Sequence, residues 1–237
     1  MMKKLKLTAF IAMVGMAATL TACGSKGGDT VETTKAGETT ASEVKETTKS
    51  KKTDPGIEFT IGETGSTSYS NKFFDVAFEA SGDWYVASKD QLAKLTKVTA
   101  EAINDKDIKA SLESGKTSTL FFAQESTGNN NVNLVSGKTA NGVSGITSEQ
   151  LINSLVPRLK KTYESEGYSN TTITKEKVKF LGDDVQAIKV KGQYGGRDIY
   201  QTQVVIINKS YYGILTATSF EKDENQKILD MIKAANR

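Results

Sequence analysis

The aromatic residues are unevenly distributed along the 237-residue chain, and this limits where a hydrophobic core can form. Seventeen of the 18 lie within residues 57–237, and Phe10 is the exception. Residues 24–56 hold eight Thr, six Lys and six Asp or Glu, with no Leu, Ile or aromatic residue. Such a segment cannot bury enough apolar surface to offset the entropy of ordering it. We therefore expect one folded domain at 57–237, with residues 23–56 as a disordered tether.

The N-terminal segment is organised like an export signal. Residues 1–6 carry three Lys and no acidic residue, and residues 7–20 are nearly all apolar or small. That apolar run is too short to cross a hydrocarbon layer of ~30 Å comfortably as a helix. A charged start, a short apolar stretch and small residues at its end are typical of a cleaved signal peptide. We assign residues 1–22 to this signal.

The residues that end the apolar run resemble the lipobox of bacterial lipoproteins, in which Leu and two small residues precede Cys. The sequence here is Leu20-Thr21-Ala22-Cys23-Gly24. The resemblance implies cleavage between Ala22 and Cys23 and attachment of a diacylglyceryl group to the Cys23 thiol. It also implies a lipid-anchored position on the extracytoplasmic face of the cell membrane. The alternative is an ordinary signal cleavage site beside an incidental cysteine.

The charge of the expected mature protein is balanced. The whole chain has 31 basic and 28 acidic residues, and the three excess charges lie in residues 1–6. Residues 24–56 carry six charges of each sign, and residues 57–237 carry 22 of each. Nucleic-acid binding needs an excess of basic surface. The sequence therefore predicts no nucleic-acid partner.

Hydrophobic periodicity and turn residues predict an α+β domain with a mostly antiparallel sheet. Two capping boxes, Ser88–Gln91 and Thr147–Gln150, mark helix starts. Four consecutive strands with short turns favour an antiparallel meander, and a C-terminal helix completes a layered α/β/α arrangement. The expected elements are strands 69–78 and 84–86, helices 89–103 and 107–113, strands 117–123 and 132–135, helix 147–166 with a kink at Pro157, strands 171–180, 185–191, 199–208 and 211–218, and helix 223–235.

Several short motifs in the folded part are similar to those of PsbP-like lipoproteins. That family includes the extrinsic PsbP subunit of photosystem II and a Ran-binding nuclear transport factor. The resemblance covers essentially all of 57–237 and implies a PsbP-like fold that is used for docking to other proteins, with no catalytic residue to transfer. The motifs are Tyr69-x-Asn71-x-x-Phe74, Gly82-Asp83-Trp84, Tyr163-Glu-x-x-Gly167-Tyr168, Phe180-Leu-Gly182, Tyr200-Gln-Thr-Gln203 and Thr216-Ala-Thr-Ser219.

The composition leaves little material for catalysis. There is no His and only one Cys, which excludes His-based triads and Cys-cluster zinc sites. Ser219-Phe-Glu-Lys222 matches the Ser-x-x-Lys motif, but the partner motifs of that enzyme class are absent. We expect no catalytic residue, no metal and no cofactor, although paired carboxylates could still catalyse hydrolysis.

Four aromatic residues are candidates for a binding surface. They are Trp84, Tyr85, Tyr194 and Tyr212. The alternative for Trp84 and Tyr85 is a packing role under the first helix. Tyr211 and Tyr212 are adjacent in a predicted strand, so they face opposite sides of the sheet. Both can be buried only if the sheet is covered on both faces.

Three functions are compatible with these features. The favoured one is a non-catalytic module, anchored to the membrane, that binds an envelope protein or a small ligand. The second is an envelope hydrolase that uses carboxylates. The third is a structural or assembly accessory. The binding module is favoured because the sequence contains no His, no convincing nucleophile and no metal-binding cluster.

Overall fold

The computed structural model describes residues 56–139 and 145–236. The signal peptide, the Ala22–Cys23 cleavage site and almost all of the tether lie outside the described residues. Within them, no helix has the length and apolar character needed to cross a membrane. The elements are β1 (Glu63–Thr64), β2 (Ser68–Asn71), β3 (Val76–Glu79), β4 (Trp84–Val86), α1 (Lys89–Thr96), α2 (Asp105–Glu113), β5 (Ser118–Glu125), β6 (Asn130–Lys138), α3 (Ser148–Ser165), β7 (Ser169–Phe180), β8 (Asp183–Tyr194), β9 (Arg197–Asn208), β10 (Tyr211–Phe220), α4 (Asn225–Asp230) and β11 (Ile232–Lys233).

The described strands form two sheets whose pairs are all antiparallel, which confirms the α+β class. The larger sheet has seven strands in the order β4-β5-β6-β10-β9-β8-β7, and the smaller has the order β1-β2-β3-β11. Strands β7 to β10 form the expected meander. Its turns contain residues in the left-handed backbone conformation, namely Gly182, Gly195, Gly196 and Lys209. Short turns of this kind join consecutive antiparallel strands.

The seven-stranded sheet is covered on both faces. On one face, α3 packs over β7, β8 and β9, and α1 packs on β5. The opposite face shares its main core with the four-stranded sheet, α2 and α4. The expected layering therefore holds, with one difference. The third layer contains the small sheet in addition to helices.

α3 begins where the capping box predicts. Thr147 Oγ1 accepts a hydrogen bond from Gln150 N (3.2 Å), and Gln150 Oε1 accepts one from Thr147 N (2.8 Å). The helix continues as one element through Pro157, where the sequence predicted a kink. Its buried stripe is the expected one: Leu151, Leu155, Leu159 and Tyr163, together with Ile152.

The expected strand at 69–78 is wrong, because a tight turn divides it into β2 and β3. Asn71 Oδ1 accepts a hydrogen bond from Phe74 N (2.9 Å), and Asp75 adopts a φ of 52°. An Asn side chain that bonds the backbone three residues later stabilises a turn. β2 and β3 therefore pair with each other as a hairpin.

The C-terminal helix is shorter than the expected 223–235. α4 ends at Asp230, and Ile232 then pairs with Phe78 of β3. Ser219 Oγ accepts a hydrogen bond from Glu224 N (3.1 Å) and donates one to Asn225 Oδ1 (3.1 Å). Ser219 thus supports the start of α4, as expected, and strand pairing ends the helix early.

Tyr211 joins the sheet to α2 through a charged hydrogen bond. Its hydroxyl donates to Glu113 Oε1 (2.6 Å), and Glu113 Oε2 forms an ion pair with Lys138. Hydrogen bonds from Lys138, which has the larger effect, and from Tyr211 lower the pKa of Glu113 from its ordinary value of 4.5. A carboxylate with a lowered pKa in the folded state contributes stability above its unfolded pKa, and this contribution is lost as the pH falls through the folded pKa.

We predict that Tyr211→Phe lowers the free energy of unfolding at neutral pH because Glu113 loses a donor. The difference from wild type should shrink as the pH falls below the lowered pKa of Glu113, where the carboxyl is protonated in both proteins. Urea unfolding between pH 7 and pH 3 measures this. In the control Tyr212→Phe, a change in stability should not vary with pH over that range, because burial alone shifts the pKa of Tyr212. A pH-independent effect of Tyr211→Phe would contradict the assignment.

Gly137 in β6 makes room for a tyrosine on the neighbouring strand. It pairs with Tyr212 of β10, and a Cβ atom at this position would overlap the Tyr212 ring and hydroxyl. Tyr212 is held among the residues that pack under α3, so its ring cannot move away freely. The small residue is therefore required for close packing of β6 and β10.

We predict that Gly137→Ala lowers the free energy of unfolding by about 1–3 kcal/mol through overpacking. Urea unfolding with an unchanged dependence on denaturant checks this. The cost should largely disappear in a Tyr212→Leu background, because the overlapping ring is absent there. Equal costs in the two backgrounds would show that the contact with Tyr212 is not the cause.

Candidate functional site

The structure separates the four aromatic residues that the sequence nominated. Trp84 lies on the sheet face that holds the main core, where its ring contacts Phe78 with the ring centres 5.7 Å apart. Tyr85 is half-buried on the opposite face, and its hydroxyl donates to Gln124 Oε1 (2.9 Å). Adjacent strand residues point to opposite faces, so these two cannot line one surface.

Tyr194 and Tyr212 belong to the core under α3. Tyr194 is half-buried against Tyr168, with the ring centres 4.8 Å apart, and Tyr212 is only 5% exposed. Both Tyr211 and Tyr212 are buried because both faces of the sheet are covered. The nominated residues therefore form no common exposed surface. Of the four, Tyr85 bonds Gln124, which belongs to a group of buried polar side chains.

Two rows of neutral polar side chains cross the middle of the α3 face of the large sheet. Directly paired residues of antiparallel strands share a face. The registers of β5, β6, β10 and β9 therefore align these side chains, which are all buried. The first row is Gln124, Asn131, Thr218 and Gln201, and the second is Phe122, Asn133, Thr216 and Gln203. We call the seven polar members the amide patch.

The surroundings of the amide patch are apolar. Along the strands it is bounded on one side by the row Val135, Ile214 and Val205, and on the other by Phe220 and Ile199. Across the strands it lies between the two helices of this face. α1 packs on β5, and α3 packs on β7, β8 and β9. On this face, β6 and β10 therefore lie between the strand that α1 contacts and the strands that α3 contacts.

Hydrogen bonds connect part of the amide patch to α3. The Tyr163 hydroxyl bonds Gln201 Oε1, and Gln203 Nε2 donates to the same hydroxyl (2.9 Å). Gln201 Nε2 donates to Thr218 Oγ1 (3.2 Å). Burial raises the pKa of Tyr163 well above its ordinary value of 10.0, so the phenol stays protonated and can donate. Hydrogen bonds therefore attach this side of the patch to α3.

The centre of the patch is unsatisfied. Asn131 and Asn133 are each 1% exposed, and neither side-chain oxygen has a hydrogen-bond partner among the described residues. A buried carbonyl without a donor costs about 1–3 kcal/mol. Two such oxygens on one strand mark the part of the patch where water or a ligand can supply the missing donors.

The chemistry available at the patch is recognition. Carboxamides, hydroxyls and the Tyr85 phenol donate and accept hydrogen bonds, and burial raises the pKa of Tyr85 above its ordinary value of 10.0. None of the seven patch residues is a carboxylate, an amine or a thiol. The patch can therefore position a ligand, but it has no group suited to transfer protons near neutral pH.

The carboxylate hypothesis points to a different place. Asn130 Nδ2 donates to Glu125 Oε2 (3.0 Å) and to Glu224 Oε2 (3.4 Å), so these two carboxylates converge. A glycosidase-type acid needs a raised pKa. Here hydrogen bonds from Lys227, which has the larger effect, and from Asn130 lower the pKa of Glu224 from its ordinary value of 4.5. Glu224 is therefore unsuited to donate a proton near neutrality.

The described residues contain no group of three or more His, Cys, Asp or Glu side chains that could hold a metal ion. The patch offers neutral oxygens and nitrogens, which bind divalent metals poorly without a carboxylate or imidazole. Nothing in its donor set requires a metal or a cofactor.

The residues of the amide patch were not nominated from the sequence. The signal was present as alternating polar residues, Asn131-x-Asn133, Gln201-x-Gln203 and Thr216-x-Thr218. Such alternation predicts a strand with one face exposed to solvent. Only the cross-strand registers show that the three pairs lie side by side, and only the helices show that they are buried.

Comparison with known proteins finds matches among solved structures. No protein-family model matches the chain, and no curated protein matches it. Among solved structures, it is similar to the cyanobacterial PsbP (CyanoP) of Synechocystis sp. PCC 6803, with 10% identity and a TM-score of 0.39 over 76% of this chain and 98% of that chain. It is also similar to PA94 of Pseudomonas aeruginosa, a protein of unknown function, with 18% identity and a TM-score of 0.25 over 38% of this chain.

These structural similarities are distant. The chain spans 58% of the length of PA94. Neither TM-score reaches 0.5, so neither similarity carries an argument about function. The α+β class is established by the strands and helices themselves. The resemblance to PsbP-like lipoproteins stays a prediction from the sequence motifs.

We predict that Asn131→Leu with Asn133→Leu raises the free energy of unfolding by about 1–4 kcal/mol, because two unpartnered carbonyls are replaced by apolar groups of similar size. The matched control Gln203→Leu should lower it by about 1–2 kcal/mol, because Tyr163 loses a donor. Urea unfolding of both variants measures the two opposite signs. A loss of stability in the double variant would mean that these side chains are satisfied structural groups.

Proposed function

We propose that the protein is a lipid-anchored extracytoplasmic lipoprotein whose folded domain is a non-catalytic binding module, with the amide patch as its ligand site. The single observation that carries the binding role is the pair of buried side-chain oxygens, Asn131 Oδ1 and Asn133 Oδ1, that have no hydrogen-bond partner among the described residues. A protein retains such costly groups where function requires them. The anchoring role rests separately on the sequence around Cys23.

The order of features at the N-terminus supports the anchor. A basic start, a short apolar run and the Leu20–Cys23 motif follow one another without interruption, and Cys23 is the only cysteine. Each buried methylene contributes ~0.8 kcal/mol, so the two acyl chains of a diacylglyceryl group suffice for stable anchoring. The balanced charge of residues 24–237 makes the lipid, rather than electrostatic adsorption, the expected means of attachment.

The neutral chemistry of the amide patch supports binding without turnover. Its burial favours a small ligand over a protein surface, because a protein surface cannot contact side chains that are at most 9% exposed. The carboxylates at Asn130 support the alternative of a hydrolase, but the lowered pKa of Glu224 disfavours a general acid there. An assembly accessory is the remaining alternative, and it offers no reason for unpartnered carboxamides.

We predict that Cys23→Ala releases the protein from the membrane fraction while the domain stays folded. Fractionation with a carbonate wash, combined with mass spectrometry of the native protein, checks the anchor. The wild type should lack residues 1–22 and carry a lipid on Cys23. Sedimentation of the mutant with washed membranes, or an unmodified Cys23 thiol in the wild type, would refute the anchor and leave the ligand site to be judged separately.

A further inference from the structure

We propose that the ligand of the amide patch is an uncharged, polyhydroxylated molecule of the carbohydrate class, about the size of a disaccharide. This inference rests on the proposed function, namely that the patch is a ligand site. It adds the chemical class of the ligand, its dimensions and its route of entry.

The amide patch contains no charged side chain. The two rows over β5, β6, β10 and β9 contain only Gln, Asn, Thr and one Phe, and the flanking phenols of Tyr85 and Tyr163 stay protonated. A charged ligand group would be removed from water here without an opposite charge to compensate it. Burying an unpaired charge costs far more than burying a hydroxyl that finds a partner. The site therefore selects neutral ligands.

The hydrogen bonds that the centre of the patch lacks are ones in which it would accept. The unpartnered atoms at the centre are both carbonyl oxygens, Asn131 Oδ1 and Asn133 Oδ1, which can only accept. The ligand must bring donors that are spaced along one strand. Residues two apart on a strand are separated by ~7 Å. A molecule with hydroxyls on two linked rings supplies donors at such a spacing, and its other hydroxyls meet Gln124 and Thr216.

The patch is long and narrow. The patch crosses four strands, which are ~4.8 Å apart, so it is ~14 Å long and ~7 Å wide. Tyr85 and Phe122 lie at its α1 end, and Tyr163 lies at its α3 end. A long, narrow floor with polar centre and aromatic ends matches a ligand with polar edges and less polar ring faces.

The route of entry is on the α1 side. The patch residues are buried, so a covering element must move before a ligand can reach them. The segment Ala87–Ile103, which contains α1, packs on the sheet through a small core of its own that includes Phe122. α3 is anchored by the larger core and by Tyr163. Displacement of α1 therefore breaks fewer apolar contacts, and it uncovers the patch from the Phe122 side.

The test is calorimetric titration of the purified full chain with pairs of probes that differ in charge. The neutral probes are lactose and N,N′-diacetylchitobiose. Their charged counterparts are lactobionate, which is anionic, and deacetylated chitobiose, which is cationic. Decanol is an apolar probe of similar length. We expect at least one neutral probe to bind and its charged counterpart to bind at least tenfold more weakly.

Two variants show whether binding occurs at the patch. Asn131→Leu with Asn133→Leu should weaken binding of the neutral probe at least tenfold, although this variant remains folded. Thr216→Val, which removes one hydroxyl at constant shape, should weaken it severalfold. Binding that neither variant changes would overturn the assignment of the ligand to the patch.

The remaining outcomes separate the ligand class from the site. Small molecules released from native wild-type protein are compared by mass spectrometry with those released from the double variant. A charged or apolar molecule that only the wild type releases, or a charged or apolar probe whose binding the double variant abolishes, would overturn the carbohydrate class and retain the site. Absence of binding by every probe, with no released molecule that distinguishes the two proteins, would overturn both.

Discussion

Coverage of the seven-stranded sheet on both faces is the constraint on which the rest of the structure depends. It buries adjacent residues such as Tyr211 and Tyr212 on opposite faces of one strand. It also requires small residues where large ones meet, as at Gly137 beneath Tyr212 and at Gly213, where a Cβ would lie 3.1 Å from Leu134 Cδ1. Because both faces are covered there, polar side chains in the middle of the sheet must find partners inside the protein or remain unsatisfied.

The amide patch shows both outcomes on one floor. Gln201 and Gln203 are satisfied by Tyr163, which binds α3 to β9. Asn131 and Asn133, both on β6 and two strands away from β9, have no partner for their side-chain oxygens among the described residues. The free energy of unfolding of a domain is about 5–15 kcal/mol, so two such groups lower it by a substantial fraction. Satisfied carboxamides specify where α3 sits, whereas unsatisfied ones add nothing to the fold. The two halves of the patch therefore have different roles.

Sequence reasoning succeeded where the signal is local. The capping boxes place the starts of α1 and α3, and glycine turns place the strands of the meander. It failed where a distant part of the chain decides. The end of α4 is set by pairing of Ile232 with Phe78, and the division of 69–78 depends on an Asn71 side chain that bonds the backbone. The amide patch needed four strand registers that no local pattern contains.

The residue types in alternating strands nevertheless carry information that periodicity alone does not. β7 alternates Lys175, Lys177 and Lys179, all exposed at the edge of the sheet, whereas β9 alternates Gln201 and Gln203, both buried. An ammonium group resists burial, so lysine at alternate positions identifies a solvated face. Carboxamides and hydroxyls tolerate burial at a lower cost. Solvated surfaces usually mix charges of both signs into such positions. Three strands that alternate only neutral polar residues therefore predict a covered polar surface. Its side chains find partners inside the protein, as Gln201 and Gln203 do with Tyr163, or they are left for a bound molecule to satisfy.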